Sequence, residues 1–465
     1  MSTSPSILPV IVGAGPAGIR AAQALVAAGI RPVILDEATR PGGQIYRQPP
    51  LGFKREKKAL YGSEHHKACD LHRTMESLRE RVDYRSGTLV WSGDKGSLDT
   101  LSDGHFDTVP YTHLILATGA TDRTLPFPGW LTPGVYTLGG AQVALKFQGC
   151  GIGQKVVFLG TGPLLYLVAY QYKKAGANVA AVLDTARLSD RIAGLPGMLR
   201  APALLSKGLY YMAWLRAHGV PLHSNVRPEA VTGSTRVASL RYRHAASDTV
   251  YTIECDAIGF GLGLRSETQL ASLLGCEFAF NAQDRAWLAR RDTAGRTSND
   301  GIYVAGDGAG IAGADAAELS GERAALAMLQ DTGIAVDQAR VDALERRLES
   351  VTKVRRALER AFPFPTDWVA QVADDVVVCR CEEITAGTIR RAATELEVRE
   401  MNRLKALTRV GMGRCQGRMC SAGAAEILAQ SVHIDLAAVG RIRTQPPVKP
   451  IPIVIQSVAG QEVSL

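Results

Sequence analysis

The sequence predicts an α/β protein with two Rossmann-like dinucleotide-binding domains and a small cysteine-rich module near its C-terminal end. Three observations predict this architecture. A G-x-G-x-x-G turn follows an apolar strand at residues 13–18, a second glycine-rich turn follows an apolar strand at 160–165, and four of the eight cysteines lie within 379–420. A chain of 465 residues exceeds what one hydrophobic core usually serves, so several domains are expected.

The first glycine-rich turn predicts a dinucleotide site. Its first glycine allows the tight turn, the second lets backbone approach a pyrophosphate, and the third lets the next helix pack closely on the strand. That helix directs its N-terminal N–H groups at the phosphates. The second strand ends in Asp36 and Glu37, at the spacing of an acid that binds ribose. The candidate binding residues of the turn itself are Gly13, Gly15, Pro16, Ala17 and Gly18.

Three further segments favour FAD over NAD as the first ligand. The loop at 41–47 carries two adjacent glycines, which suit backbone that passes close to a ligand. The strand at 114–116 ends in Ala-Thr-Gly, and the strand before residue 306 runs into Gly-Asp, whose carboxylate faces the ribityl chain in such folds. Backbone near Val90 is expected to meet the adenine. The candidate residues of the three segments are Gly43, Gln44, Arg47, Ala117, Thr118, Gly119, Gly306 and Asp307.

The second glycine-rich turn predicts a second dinucleotide-binding fold and leaves its ligand open. It lies between predicted strands at 155–159 and 178–184, with a helix that ends at Lys174. Leu165 stands where the third glycine is expected, which predicts that helix and strand are pushed apart and that NAD(P)H binding is compromised. The alternative interpretation is a self-sufficient NAD(P)H-dependent flavin reductase of ferredoxin or quinone that uses this domain.

The remaining segments complete the predicted order of domains. Residues 54–82 predict helices, 84–107 predict hairpin strands, 188–218 predict a core or interface helix, and 220–260 are rich in strand signals. Apolar residues from Val341 to Phe362 recur every three or four positions and predict one face of a helix. The predicted domains are 1–130 with 281–335 (split FAD-binding domain), 131–280 (second dinucleotide domain), 336–374 (helical connector), 375–430 (cysteine module) and 431–465 (C-terminal tail).

Four cysteines predict a [2Fe–2S] cluster, with Cys379, Cys381, Cys415 and Cys420 as ligands. Thiolates are soft ligands that suit iron–sulfur clusters or zinc, and nearby glycines free backbone N–H groups to bond cluster sulfurs. Structural zinc usually uses C-x2-C pairs, whereas these pairs are C-x-C and C-x4-C, separated by a span that includes a predicted helix at 389–407. The spacing therefore favours iron and sulfur over zinc.

The composition restricts partners and location. Hydrophobic residues make up 46% and charged residues 21%, and the net charge of +8 comes from scattered Lys and Arg. We expect a basic surface or an acidic protein partner, and no nucleic acid. No run of about 18 apolar residues predicts a transmembrane helix. The first strand starts too near Met1 for a signal peptide. The expected location is cytoplasmic, with peripheral association at the inner membrane only through partners.

With these motifs in place, the chain resembles the flavoprotein alpha-type subunits of bacterial heteromeric dye-linked amine and opine dehydrogenases. This family includes the A-subunit of opine oxidase, the hydrogen cyanide synthase flavoprotein subunit, and proline and hydroxyproline dehydrogenase alpha subunits. The cysteine module is similar to bacterioferritin-associated ferredoxins, whose last two cysteines usually lie closer together. The resemblance runs nearly end to end and rests on Gly13-Ala-Gly-Pro-Ala-Gly18, Pro41-Gly-Gly-Gln-Ile-Tyr-Arg47, Leu116-Ala-Thr-Gly119, Ala305-Gly-Asp307 and Gly411-Met-Gly-Arg-Cys-Gln-Gly-Arg-Met-Cys420.

The resemblance implies an oxidoreductase subunit that carries FAD and a [2Fe–2S] cluster and passes electrons onward. A separate catalytic beta-type flavoprotein subunit, of amino-acid-oxidase type, would oxidise an amino acid, opine or other secondary amine to an imine. The resemblance leaves room for FMN at a subunit interface and for a small third subunit. No catalytic acid or base is expected in this chain. A third hypothesis is a structural or assembly subunit whose nucleotide pocket holds ATP or nothing.

Overall fold

The computed structural model describes residues 7–50, 52–53, 56–452, 455–456 and 462–463. Among the described helices, none is long and apolar enough to cross a membrane. The first elements are β1 (Pro9–Val12), α1 (Pro16–Ala27), β2 (Val33–Asp36), α2 (Lys57–Tyr61), α3 (His65–Leu78), β3 (Asp83–Ser86), β4 (Leu89–Asp94), β5 (Ser97–Ser102), β6 (His105–Pro110), β7 (His113–Leu116) and β8 (Ala120–Asp122). Next come β9 (Val135–Thr137), α4 (Leu138–Val143), β10 (Lys155–Gly160), α5 (Pro163–Lys174), β11 (Asn178–Asp184), α6 (Leu188–Met198), α7 (Pro202–Ala217), β12 (Leu222–His223), β13 (Val226–Thr232), β14 (Ser239–His244), β15 (Val250–Glu254), β16 (Ala257–Gly261) and β17 (Leu264–Ser266).

The C-terminal part contains the rest of the first domain and the cysteine module. Its elements are α8 (Gln269–Leu273), β18 (Phe278–Asn281), β19 (Ala286–Ala289), β20 (Ile302–Val304), α9 (Ala314–Asp331), α10 (Gln338–Ala361), α11 (Thr366–Ala370), β21 (Val377–Cys379), β22 (Ile384–Thr385), α12 (Ala386–Glu395), α13 (Met401–Thr408), α14 (Ser421–Ser431), β23 (Ile455–Gln456) and β24 (Glu462–Val463).

The first sheet has the strand order β20-β7-β1-β2-β3, and all of its pairs are parallel. Helices α1, α3 and α9 cover one face of this sheet, and β4–β6 with α8 cover the other, which explains the continuous apolar sequences of β1 and β7. Helix α1 packs against α9, where a Cβ on Gly321 would lie 2.0 Å from the carbonyl oxygen of Ala17. The chain leaves this sheet after β7 and returns to it with β20, so the sheet is built from two separate parts of the sequence.

The second sheet has the order β12-β11-β10-β16-β9 and is also parallel. Strand β11 and the end of α5 have the predicted bounds, and β10 is one residue longer than predicted. An antiparallel sheet of β13, β14 and β15 follows in this domain, and β4, β5 and β6 form the three-stranded sheet predicted as hairpins in the first domain.

Helix α10 connects the two domains. On one side Arg323 of α9 bonds Glu345 of α10 at 2.9 Å. On the other side α6 has glycine at its contact with α10, and a Cβ on Gly194 would lie 2.6 Å from the Cβ of Ala361. Helix α10 therefore contacts both domains, and Val341 and Leu344 of its predicted apolar face are buried.

The cysteine module shares a hydrophobic core with the second domain. Phe127 and Trp130 in the crossover segment belong to the same buried cluster as Val378 and Ile389 of the module. The indole N–H of Trp130 donates to the carbonyl of Val377 at 2.7 Å. The module is therefore held against the crossover segment by apolar packing.

The predicted single helix over 389–407 is wrong, because two helices, α12 and α13, occupy this span. Glu397 between them has a φ of +52°, in the left-handed region that ends a helix. The Glu400 side chain then caps the second helix by accepting hydrogen bonds from the N–H groups of Asn402 and Arg403.

Candidate functional site

The first glycine-rich turn has the geometry of a phosphate cradle. Gly13 has a φ of +106°, and a Cβ on it would lie 2.4 Å from the carbonyl oxygen of Ala117. A Cβ on Gly18 would lie 1.8 Å from the carbonyl oxygen of Gly13. By contrast, a Cβ on Gly15 would come no closer than 3.6 Å to a described atom, the Cα of Gly43. Helix α1 begins without a side-chain cap, so its first N–H groups can bind a phosphate.

The two acids at the end of β2 have different roles. The carboxylate of Asp36 accepts hydrogen bonds from the N–H groups of Ala14 at 3.1 Å and Ala38 at 3.0 Å. Burial raises the pKa of Asp36 to about 6. Asp36 thus holds the glycine turn in place, while Glu37 extends beyond it and pairs with Lys449. Glu37 is the better placed of the two to bind a ribose, and both assignments stay predictions.

An open cavity extends from this turn. Three of its lining residues come from distant segments: Glu267 and Lys449 lie outside every predicted motif, and Arg418 lies in the cysteine motif between Cys415 and Cys420. Their place at this cavity could be found only after folding, because nothing in their local sequence marks a dinucleotide site. The predicted residues that line the cavity are Gly13, Asp36, Glu37, Val90 and Thr118.

The loop at 41–47 lies directly against the glycine turn. A Cβ on Gly43 would stand 2.9 Å from the Cα of Gly15, so the two predicted backbone segments meet. Arg47 donates to the Gln44 side-chain oxygen at 2.8 Å, and its guanidinium lies 5.5 Å from the ring centre of Phe147. These residues are brought to the same side of the turn, but they do not line the cavity.

A buried lysine that the sequence did not single out contacts this loop. Lys146 is 4% exposed, and its ammonium donates to the carbonyl of Ile45 at 3.1 Å. Burial lowers the pKa of Lys146 to about 8. It lies in a five-residue π-helical turn at 144–148, a conformation that is frequent at functional sites.

The remaining predicted cofactor residues shape the walls beside the turn. Ala117 meets Gly13, as described above, and Thr118 donates to the Glu267 carbonyl at 2.6 Å. A Cβ on Gly306 would lie 2.9 Å from that of Ala17, so Gly306 allows this strand end to approach α1. The next residue, Asp307, accepts hydrogen bonds from the N–H groups of Ala312 and Gly313, both at 2.9 Å. Burial raises its pKa. A contact of Asp307 with a ribityl chain stays a prediction.

The second glycine-rich turn is closed by its own side chains. Leu165 is fully buried in the core of the second domain. Asp184 ends β11 as Asp36 ends β2, yet its carboxylate already accepts hydrogen bonds from Tyr166 and Arg191, both at 2.7 Å. Its other oxygen accepts from the N–H of Ala186 at 2.8 Å. The acid that would bind a ribose in this domain is therefore occupied within the protein.

The four predicted cluster ligands converge. The Cys420 thiol lies close to the thiols of Cys379 and Cys415, and the Cys381 thiol lies close to that of Cys415. Among the described residues, no group of three or more His, Cys, Asp or Glu side chains is arranged around a common metal position. The four thiols lie against each other. A Cβ on Gly413 would lie 2.2 Å from the Cβ of Cys381, so this glycine allows the two cysteine segments to meet.

The surroundings of the sulfurs fit an iron–sulfur cluster. Hydrogen bonds from Cys420 and from backbone N–H groups lower the pKa of Cys379 to about 6 and also lower that of Cys415, whereas burial raises the pKa of Cys381 and the Cys379 and Cys415 thiols raise that of Cys420. The backbone donors include Gly411 and Gly417. Thiolates with backbone N–H donors are the ligands that such clusters require.

The fold and the two sites define a class: a flavoprotein oxidoreductase with an iron–sulfur module. The family described as pyridine nucleotide-disulphide oxidoreductase matches residues 9–328. The family described as BFD-like [2Fe-2S] binding domain matches residues 377–430.

Individual relatives narrow the assignment. The chain is 38% identical over 457 residues to the A-subunit of opine oxidase from Rhizobium meliloti, covering 95% of this chain and 85% of the relative. It is 35% identical over 471 residues to the HcnB subunit of hydrogen cyanide synthase from Pseudomonas protegens, covering 99% of both. The crystal structure of L-proline dehydrogenase from P. horikoshii shares the fold, with a TM-score of 0.69 at 20% identity over 96% of this chain and 78% of that one.

The chain therefore belongs to the pyridine nucleotide-disulphide oxidoreductase family, together with the opine oxidase A-subunit and HcnB. It is an oxidoreductase with FAD and a [2Fe–2S] cluster as cofactors. The resemblance stated from the motifs, the α/β flavoprotein fold with its C-terminal module, and these two cofactors are confirmed. The domain boundaries and the individual ligand residues stay predictions.

Proposed function

We propose that this chain is the electron-transfer subunit of a heteromeric dehydrogenase, in which a partner flavoprotein subunit oxidises an amino acid, opine or other secondary amine to an imine. One observation carries the proposal. Arg418 lines the cavity at the first glycine turn and also belongs to the cysteine loop, between Cys415 and Cys420. By the assignments above, this cavity is the adenosine end of the proposed FAD site, so that end and the proposed cluster ligands share one wall.

The residues of this chain are proposed to hold the two cofactors. When bound, FAD accepts two electrons and a [2Fe–2S] cluster carries one at a time. The N-terminus of α1 would hold the pyrophosphate and Glu37 the ribose. Cys379, Cys381, Cys415 and Cys420 would hold the cluster. No acid or base is assigned to the amine oxidation, which we propose takes place in the partner.

The partner is supported by the relatives and by one exposed face. Two of the relatives, from opine oxidase and from hydrogen cyanide synthase, are named as subunits. Helix α6 and the residue after it expose large aliphatic side chains at helical spacing, with Leu188 65%, Ile192 61% and Leu199 61% exposed. Contiguous exposed apolar side chains are typical of a surface that another protein covers. We propose that this face contacts a partner subunit.

The resemblance leaves room for an FMN at a subunit interface, and we propose a second cavity as its candidate site. This cavity lies between β17–β19 and the cysteine module and is open to solvent. Its walls carry guanidinium groups, such as those of Arg285 and Arg441, and the aromatic pair Phe280 and Trp287. Cationic and aromatic groups together suit a phosphorylated flavin. Acid extraction and chromatography of the bound flavins would test this, with FMN beside FAD as the expected result.

The alternative, a self-sufficient NAD(P)H-dependent reductase, is less well supported. The occupied carboxylate of Asp184 and the buried Leu165 leave the second dinucleotide fold without the groups that usually meet a nicotinamide nucleotide. The third hypothesis, a structural or assembly subunit, does not explain four converging thiols with backbone N–H donors. Both alternatives differ from the proposal in the result that they predict for one experiment.

That experiment is an anaerobic absorbance titration of the purified full-length chain, with NADH and NADPH first and dithionite afterwards. An electron-transfer subunit is expected to show no response to either nicotinamide. Dithionite should then bleach both the flavin bands and the broad absorption of the cluster. Flavin bleaching by NADH or NADPH at a rate useful for turnover would refute the proposal in favour of the reductase.

A further inference from the structure

A short segment of the second domain, 265–269, joins the cavity at the first glycine turn to the cysteine loop. On the cavity side, the N–H of Glu267 donates to the carbonyl of Gly119 at 2.9 Å. On the other side, the side-chain amide of Gln269 donates to the carbonyl of Gln416, next to Cys415, at 2.9 Å. The segment therefore contacts both proposed cofactor sites.

Arg265 in this segment directs its charge at the cysteine loop. Its Nη1 donates to the carbonyl of Arg418 at 2.8 Å and to the hydroxyl of Ser421 at 3.0 Å. These two residues lie close to Cys420 on either side of it in the sequence. Cys420 and Cys415 are also among the groups whose charges act on the Arg265 guanidinium.

Among the described residues, the charge of Arg265 is not cancelled by a direct ion pair. Its hydrogen bonds go to neutral carbonyl and hydroxyl groups. Glu267, the acid that acts most on its charge, instead bonds Arg418 at 3.1 Å. Burial lowers the pKa of Arg265, and the charge of Glu267 acts in the opposite direction. The side chain still carries its charge, because a guanidinium remains protonated in proteins.

We propose that Arg265 is a positioning residue that holds the Cys415–Cys420 loop and raises the reduction potential of the cluster, with Glu267 acting in the opposite direction. A [2Fe–2S] cluster gains one negative charge on reduction, so a nearby cation favours the reduced state. The cluster becomes a better acceptor of electrons from the flavin side. This inference deepens the electron-transfer role proposed above, and its test does not need the partner subunit.

The test is a redox titration of the cluster, followed by EPR, in full-length protein loaded with its cofactors. Arg265→Gln is expected to lower the midpoint potential, and Arg265→Lys to keep it near that of the parent protein. Glu267→Gln should raise it. Arg227→Gln is the matched control, because Arg227 is also a buried arginine that donates to backbone carbonyls, yet its partners Thr185, Val226 and Asp367 lie outside the cysteine module. It should leave the midpoint unchanged.

The pattern of these variants separates charge from mere support of the loop. If Arg265 only supports the loop, Arg265→Lys and Arg265→Gln should lose iron to the same extent. The two variants should then have equal cluster midpoint potentials in the fraction that keeps its cluster. That result overturns the proposal, as does an unchanged midpoint in a loaded Arg265→Gln variant. If Arg265→Gln retains no iron, the Glu267→Gln variant is the deciding test. A midpoint potential of its cluster that does not rise above that of the parent protein overturns the proposal. Reduction of the flavin by NADH or NADPH would refute the proposed function but not this inference, because the shifts in the cluster midpoint potential would still be expected.

Discussion

Replacing Lys146 with methionine is expected to stabilise the protein at neutral pH. The ammonium group is buried beside the loop at 41–47, and its hydrogen bond goes to the uncharged carbonyl of Ile45. Within the part of the chain that the structure describes, no carboxylate lies within ion-pair distance of Nζ, and burial alone lowers its pKa from 10.5 to about 8. Methionine has a similar length and no charge, so it would fill the space without that desolvation cost.

The sign and the size of the effect follow from the two pKa values. The folded protein binds the lysine proton more weakly than the unfolded chain does. The charged form is therefore penalised fully below pH 8, and the penalty disappears as the pH rises to 10.5. The gap between the two pKa values corresponds to about 3 kcal/mol. Loss of the hydrogen bond to Ile45 offsets about 1 kcal/mol, which leaves a net gain of about 2 kcal/mol at pH 7.

The measurement is urea unfolding of the full-length, cofactor-loaded protein at pH 7 and at pH 10.5, followed by tryptophan fluorescence. Lys146→Met should unfold at higher urea than the parent at pH 7 and at slightly lower urea at pH 10.5. Lys155→Met is the control, because this partly exposed lysine lies 3.6 Å from Glu254 and should matter by less than about 0.5 kcal/mol. An equal change for Lys146→Met at both pH values would refute the reasoning.

Three further predictions address the cofactors and the partner surface. Gly18→Ala should abolish FAD binding, because its Cβ would lie 1.8 Å from the carbonyl oxygen of Gly13. Binding is measured as the flavin-to-protein absorbance ratio. The control Gly208→Ala should bind FAD normally, because its Cβ would meet no described atom within 4 Å. Cys420→Ser should lose the iron and the cluster absorption, whereas Cys276→Ser, at a buried cysteine outside the module, should keep both in an iron assay. Ile192→Glu should retain FAD and iron but weaken association with the partner subunit in native mass measurements, and unchanged association would exclude this face from the interface.

The strand–turn–helix units could be predicted closely because their signals are local. The bounds of β11 and the end of α5 follow from apolar runs, glycines and charged residues that are near neighbours in sequence. The break between α12 and α13 was missed because helix propensity continues through 396–400. The left-handed position is occupied by Glu397, and no glycine signals it.

The fold class and the two cofactors follow from local sequence, because each depends on residue types at short, regular spacings. Three-dimensional packing, by contrast, decides which acid is available at each dinucleotide fold. Asp36 bonds backbone N–H groups, and Asp184 bonds Tyr166 and Arg191. It also decides that Arg265 meets the cysteine loop, more than 150 residues further along the chain. Such contacts depend on how separate domains pack, and no local pattern encodes that distance.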